Sequence, residues 1–183
     1  NLVNVEFEEG VESIGDNAFQ YCIKLKEVVL PSTITTMGDS VFSGCSSLVS
    51  VVIPDRVKEL KSSTFAKCTA LESITIGGDV ETLADSVFYN CQKLKKIEMP
   101  IKLSTLGTLC FSYCKSLETI TFSEGITYIS DYAFMNCESL KEITLPNTLT
   151  FIDSSVFINS RKITKVTFGK SIDMNIILLQ NHL

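Results

Sequence analysis

Long apolar runs are missing from this chain of 183 residues. Nothing approaches the ~18 consecutive apolar residues that a membrane-spanning helix needs. Positive charge is also short: 16 Lys and Arg against 21 Asp and Glu leave a net charge of −5 and a pI near 4.9. That balance argues against a nucleic-acid binder, whose affinity rests on clustered cations neutralising phosphates. Glycine (9) and proline (4) are few while 45% of residues are hydrophobic, which excludes collagen-like and disordered chains. Histidine occurs once, at His182 beside the chain end, so the chain offers no recurring Cys-His or Ser-His pair for nucleophilic catalysis. Neither G-x-G-x-x-G, a P-loop nor H-E-x-x-H is present. The adjacent carboxylates Glu8 and Glu9 sit beside a strand end with no pocket implied. The expectation is a soluble, non-catalytic protein without a cofactor, a metal or a nucleic-acid partner. No N-x-Ser/Thr acceptor occurs, which fits a bacterial surface and a cytosol equally. With no initiator Met and no basic-then-apolar leader before Asn1, the chain reads as a piece of a longer or processed protein.

What is present is periodic. Phe19, Phe42, Phe65, Phe88, Phe111, Phe134 and Phe157 recur every 23 residues without insertion or deletion. Three residues after each comes Cys22, Cys45, Cys68, Cys91, Cys114 or Cys137, until Ser160 breaks the series. Three further on stands a column of Leu25, Leu48, Leu71, Leu94, Leu117 and Leu140, with Leu2 before it and Ile163 after. A fixed period of this length overrides element-by-element reading and indicates a stack of repeats.

Each period divides into three pieces. The first, as in Leu25, Val28 and Leu30, alternates with β-branched residues at its end and predicts a short strand. All four prolines (Pro31, Pro54, Pro100, Pro146) follow it in one column and stop it, since proline cannot donate to a ladder. The second piece spaces two apolar residues three apart, as in Ile34 and Met37, and reads as a turn with a few extended residues rather than a strand in every repeat. The third runs Asp-x-Ala-Phe-x-x-Cys at Asp16 to Cys22 and Asp131 to Cys137, and predicts one turn of α- or 3₁₀-helix capped by the Asp. One repeat cannot bury its apolar residues alone, so successive repeats must stack. Their strands then form a parallel sheet at ~4.8 Å spacing. The predicted fold is an α/β solenoid, one domain over residues 1–172, with 173–183 as a tail or cap.

These columns resemble the BspA-like leucine-rich repeats, whose pattern reads Leu-x-x-Leu-x-Leu-Pro-x-x-Leu-x-x-Ile-Gly-x-x-Ala-Phe-x-x-Cys. The match covers roughly residues 2 to 172, best at Leu25 to Leu48 and Leu140 to Ile163; Gly15, Gly38 and Gly107 match the turn glycine, whereas Lys61, Ala84, Ser130 and Asp153 do not. The resemblance implies a right-handed, curved solenoid with helical turns opposite its sheet. It also implies the role such repeats serve in surface proteins of anaerobic bacteria and parasitic protists: adhesion to host matrix or cell-surface proteins, or to other cells. An intracellular scaffold and a spacer in a larger surface protein remain as alternatives at this point, and oligomeric state stays open because a first repeat at Leu2 presents a sheet edge.

Seven cysteines read as core: six share one inward column, and Cys110 falls with Ala18, Val41, Val87, Ala133 and Val156. A zinc site needs converging ligands, whereas a column strings them along a line. On the strands the outward residues form two columns, and these are the candidate ligand-binding face: Glu27, Ser50, Ser73, Lys96, Thr119 and Glu142, with Val29, Val52, Thr75, Glu98, Thr121 and Thr144. They lack the Trp, Tyr and Arg anchors typical of hot spots. Lys95, Glu118 and Lys141 alternate in a neighbouring column and predict cross-strand charge pairing. A second candidate is an apolar patch of Leu109, Tyr128, Tyr132, Phe151 and Met174, in columns that are polar in earlier repeats. It is either an interaction surface or the seat of Ile176 to Leu179 folding back as a cap.

Overall fold

The computed structural model describes residues 1–171. Its first ladder holds β1 (Asn4–Glu6), β3 (Glu27–Val29), β5 (Ser50–Val52), β7 (Ser73–Thr75), β9 (Lys96–Glu98), β11 (Thr119–Thr121), β13 (Glu142–Thr144) and β15 (Lys165–Thr167). These strands pair in parallel two by two, β1 with β3, β5 with β7, β9 with β11 and β13 with β15, as in Val5 with Val28, Val51 with Ile74, and Ile97 with Ile120, and successive pairs lie side by side along the solenoid. The middle residue of each three-residue strand turns inward and its neighbours turn outward, because successive side chains of a strand alternate between faces. Past the strand, the chain bends in a turn closed by bonds such as Ile34 N to Pro31 O (3.2 Å) and Leu103 N to Pro100 O (3.1 Å).

The second segment departs from expectation. It forms a two-residue strand in every repeat: β2 (Ser13–Ile14), β4 (Thr36–Met37), β6 (Glu59–Leu60), β8 (Thr82–Leu83), β10 (Thr105–Leu106), β12 (Tyr128–Ile129) and β14 (Phe151–Ile152). The last five make a continuous parallel sheet. Two residues are too few to show an alternation in sequence. The ladder is held by neighbouring copies, as in Glu81 N to Lys58 O (2.8 Å) and Ser104 N to Glu81 O (2.9 Å).

The third segment corrects the fold class. Among the described residues it contains no α or 3₁₀ helix, so the chain is a parallel β-solenoid rather than α/β. Two positions per repeat are left-handed. Asn17, Ser40, Ser63, Ser86, Leu109 and Tyr132 fill one, and Tyr21, Gly44, Lys67, Asn90, Tyr113, Asn136 and Asn159 the other, all with φ between 55° and 76°. A left-handed non-glycine residue costs about 1–2 kcal/mol. In return the turn aims its N–H groups along the solenoid axis at the next repeat: Ser63 N to Asp85 O (2.9 Å), Phe65 N to Val87 O (3.0 Å) and Lys67 N to Tyr89 O (2.7 Å). The same three bonds recur from Asn17, Phe19 and Tyr21 onward. A helix would have spent those donors within one repeat. The expected Asp cap likewise reaches across: Asp16 Oδ1 accepts from Asp39 N and Asp85 Oδ1 from Thr108 N, both at 2.8 Å.

Between the ladders the phenylalanines stack face to face, with centroids 5.4, 5.5, 5.8, 5.2, 5.5 and 5.9 Å apart from Phe19 to Phe157. Phe42 through Phe157 have 0% exposure, as do Leu25 through Leu140 in the leucine column. Burying one such ring is worth about 1.5–3 kcal/mol, comparable to the strain of the two left-handed residues in the turn carrying it. Replacing Phe88 by Ala therefore removes about 3–5 kcal/mol, read as a lower urea midpoint, whereas Phe19→Ala at the half-buried end of the spine costs clearly less. Equal losses at the two positions would contradict the burial gradient.

Candidate functional site

The twelve predicted strand-face residues all lie exposed in two rows on one side of the first ladder. Their spacing is set by register: Ser50 lies beside Ser73, Val52 beside Thr75, Lys96 beside Thr119, and Glu98 beside Thr121. Val29 and Val52, equivalent positions of successive repeats, are 62% and 63% exposed, an apolar pair in an otherwise polar surface. Glu6 is the register partner of Val29. On β9, Lys96 Nζ bridges Glu98 Oε1 at 2.8 Å, and that hydrogen bond, with the added charge attraction, holds the Glu98 carboxyl below its ordinary range.

The predicted pairing along Lys95, Glu118 and Lys141 does not form, although Glu118 N donates to Lys95 O at 2.9 Å. Among the described residues the other ion pairs are Lys93 with Glu72, Lys102 with Asp79 and Lys115 with Glu138. Exposed pairs gain too little for adjacency alone to fix them.

Of the predicted apolar patch, Tyr128 and Phe151 are register partners on β12 and β14 and stack at 4.8 Å with rings 6° from parallel. Leu109 and Tyr132 belong to the turn segment, at φ 58° and 56°. Met174 and the proposed cap Ile176 to Leu179 lie outside the described residues.

Cysteine has a role that the sequence reading missed. Each buried thiol from the second of the column onward donates to the carbonyl of the phenylalanine 26 positions earlier: Cys45 to Phe19 (3.1 Å), Cys68 to Phe42, Cys91 to Phe65, Cys114 to Phe88 and Cys137 to Phe111 (all 3.2 Å). Where the series breaks, Ser160 Oγ donates to Phe134 O at 2.6 Å. The column thus asks for a small buried donor, and Ser160 at the cysteine position was the signal that could have revealed it. All seven cysteines are free thiols, and no group of three metal-ligating side chains converges among the described residues. Burial, with smaller contributions from neighbouring thiols, pushes Cys68, Cys91, Cys110 and Cys137 well above the ordinary thiol range; burial alone raises Cys114 to about 12. These groups are protonated donors rather than nucleophiles.

Two parallel ladders, a hydrogen-bonded turn ladder and an aromatic spine, all on one 23-residue period, define a leucine-rich-repeat solenoid, a class of repeat module that mediates protein interactions. The chain belongs to the BspA-type leucine-rich repeat family: the BspA type Leucine rich repeat region, built of 6 copies, matches residues 1–118 and 69–176. Among solved structures, the T. pallidum leucine-rich repeat protein is 26% identical with a TM-score of 0.82, over 88% of this chain and 78% of that one. A leucine-rich cell surface protein from Faecalibacterium prausnitzii is 23% identical (TM-score 0.58), over 93% of this chain and 62% of that one. The pneumococcal vaccine antigen PcpA has the same identity and score, with this chain spanning 51% of its length. The latter two share the fold. Comparison with curated proteins gave no match. No helix among the described residues is long and apolar enough to cross a membrane.

The thiol column makes a pH prediction. Thiols raised in the folded state stabilise fully below their unfolded pKa near 9.0, and that stabilisation is lost as pH climbs toward about 12. Melting temperature should fall steeply above pH 9, and Cys114→Ser should make that fall shallower, by about 1.4 kcal/mol per pH unit within the window. Identical slopes for the two proteins would contradict it.

Proposed function

We propose that this chain is a non-catalytic recognition domain displayed on a cell surface, binding a host matrix or cell-surface protein through the outward face of the first ladder. The observation that carries this reading is the paired rows of exposed side chains on β3 to β13, held at fixed spacing by a buried core that varies little from repeat to repeat. A rigid surface loses little conformational entropy when a partner docks, so even modest contacts count toward affinity. Val29 and Val52 supply an apolar pair at the β3–β5 end of this face, while Glu27, Lys96, Glu98 and the Ser and Thr side chains supply its polar part. Catalysis has no part in it, because the thiols are used as donors to core carbonyls. Surface display accords with the description of the F. prausnitzii relative as a cell surface protein.

The test combines antibody labelling of intact and permeabilised source cells with binding to immobilised host matrix proteins. Labelling of intact cells and saturable binding are expected. The double variant Val29→Lys, Val52→Lys should abolish that binding while its melting temperature stays close to that of the parent, since substitutions at such exposed sites change stability by roughly 0.5 kcal/mol or less. Labelling only after permeabilisation, or binding indifferent to the double variant, would overturn the reading.

A further inference from the structure

One junction of the solenoid lacks the strand pairing that the others keep. Between the second and third repeats neither ladder closes: β3 is not paired with β5, and β4 is not paired with β6. Every other junction of the described repeats keeps at least one pairing. In the second ladder the missing bonds can be named. Gly38 N donates to Ile14 O and Ala84 N to Leu60 O (both 2.9 Å), and Gly107 N to Leu83 O (2.8 Å), whereas the equivalent Lys61 N reaches no carbonyl of the preceding repeat. Glu81 N likewise donates to Lys58 O, and Ser104 N to Glu81 O, but Lys58 N makes no such bond. The carbonyls of Thr35 and Met37 that would have accepted them receive no backbone bond. The junction is held instead from the turn side, by Ser40 N to Ser62 O, Phe42 N to Thr64 O and Gly44 N to Ala66 O (2.9, 2.9 and 2.7 Å) and by the Phe42–Phe65 stack.

Two depressions follow the open junction, one on each ladder. The first, of about 460 Å³, has Leu30 and Ser32 on one side and Val52, Pro54, Asp55 and Arg56 on the other. The second, of about 480 Å³, has Thr35, Thr36 and Met37 on one side and Arg56, Lys58, Glu59 and Lys61 on the other, with Asp79 beyond. Arg56 lines both, so they join into one groove that crosses the solenoid between the repeats. Its halves differ in chemistry. The first carries Leu30, Val52 and Pro54 and adjoins the exposed Val29. The second carries three cations, Arg56, Lys58 and Lys61, none of which makes an ion pair among the described residues, in a chain of net charge −5. Of the carboxylates nearby, Asp79 is taken by Lys102, and Asp55 Oδ1 accepts from Gly78 N at 3.0 Å. That leaves Glu59 in the groove and Glu81 beside it, so the cations outnumber the free anions.

We propose that this groove takes an extended segment of a partner protein, with apolar side chains against Val29, Leu30 and Val52 and Asp or Glu side chains against Arg56, Lys58 and Lys61. Two features favour a peptide. The open edges offer N–H donors at Lys58 and Lys61 on one side and carbonyl acceptors at Thr35 and Met37 on the other, which is the pair that a main-chain amide satisfies. A sulfated or phosphorylated ligand brings anionic groups that only accept, and would leave those carbonyls unmatched. The unpaired cations complement carboxylates, and the change from apolar to cationic along one groove sets the direction in which the segment lies. The inference rests on the strand-face reading, because Val29 and Val52 belong to its apolar half, and adds to it the chemistry of the partner.

The experiment is selection of a phage-displayed random dodecapeptide library on the chain, followed by fluorescence polarisation of the enriched peptides. They should combine Leu, Ile, Val or Phe with Asp or Glu a few residues away, and their affinity should fall as salt is raised. Arg56→Thr, Lys58→Thr, which installs the residues that Thr33 and Thr35 supply one repeat earlier, should weaken binding about tenfold while leaving the melting temperature intact. Val29→Lys, Val52→Lys should weaken it as well. Absence of enriched peptides, enrichment of peptides without acidic residues, or affinity unchanged in the folded Arg56→Thr, Lys58→Thr protein would overturn the inference. So would a heparin oligosaccharide that outcompetes the peptides at these residues, which would make the groove a polyanion site. Matrix-protein binding that depends on Val29 and Val52 but not on Arg56 and Lys58 would sink this inference and leave the strand-face reading standing. Peptide binding in the groove of a protein that binds no matrix protein would sink the host-ligand reading alone.

Discussion

Everything in this solenoid depends on a backbone hydrogen bond that joins each turn to the carbonyl 22 residues further on. Three such bonds leave most repeats, from the residue two before the phenylalanine, from the phenylalanine itself and from the residue two after it. They can form only if successive repeats have the same length, which is why the phenylalanine column runs without an insertion. They also fix the turn conformation, since an N–H directed along the axis requires the two left-handed residues that flank the ring. Once the turn is set, the rings lie over one another, and the phenylalanine carbonyl is placed to accept the thiol of the next repeat.

The core was legible because its demands on side chains are strict. A position that must be apolar, aromatic or a small donor in every copy leaves a column, and the phenylalanine, cysteine and leucine columns became the buried spine. The alternation of the first segment likewise placed Glu27 and Val29 outside and Val28 inside. What stayed hidden was conformation enforced by neighbours. Two-residue strands such as Thr82–Leu83 carry no alternation of their own. The left-handed sites accept Tyr21, Lys67 and Leu109 as well as Gly44 and Asn90, because bonds between repeats, rather than intrinsic preference, hold them there. Asp-x-Ala-Phe therefore looked like a capped helix when read alone. Its donors belong to the adjacent copy.

This division of labour explains how one scaffold can carry unrelated surfaces. Core and backbone bonds are satisfied within the stack, so outward side chains on the strands and on the turns vary without affecting it. The strand face uses that freedom for a polar surface with an apolar pair, Val29 and Val52, toward its first repeats. The turn face uses it for tyrosines, amides and hydroxyls beside the Asp16, Asp39 and Asp85 column. Ion pairs add little: the ones that form lie on exposed side chains, such as Lys115 with Glu138, where water competes.

The most direct test of this account is amide hydrogen exchange resolved by residue. If the turn ladder carries the fold, the amides of Ser63, Phe65 and Lys67 are protected as strongly as the hydrogen-bonded amides that lead into the adjoining strands, such as Glu72 and Glu81, and all exchange only through cooperative opening. Fast exchange at Ser63, Phe65 and Lys67 beside protected strand amides would contradict it, and would reduce the turns to surface loops resting on a sheet that stands without them.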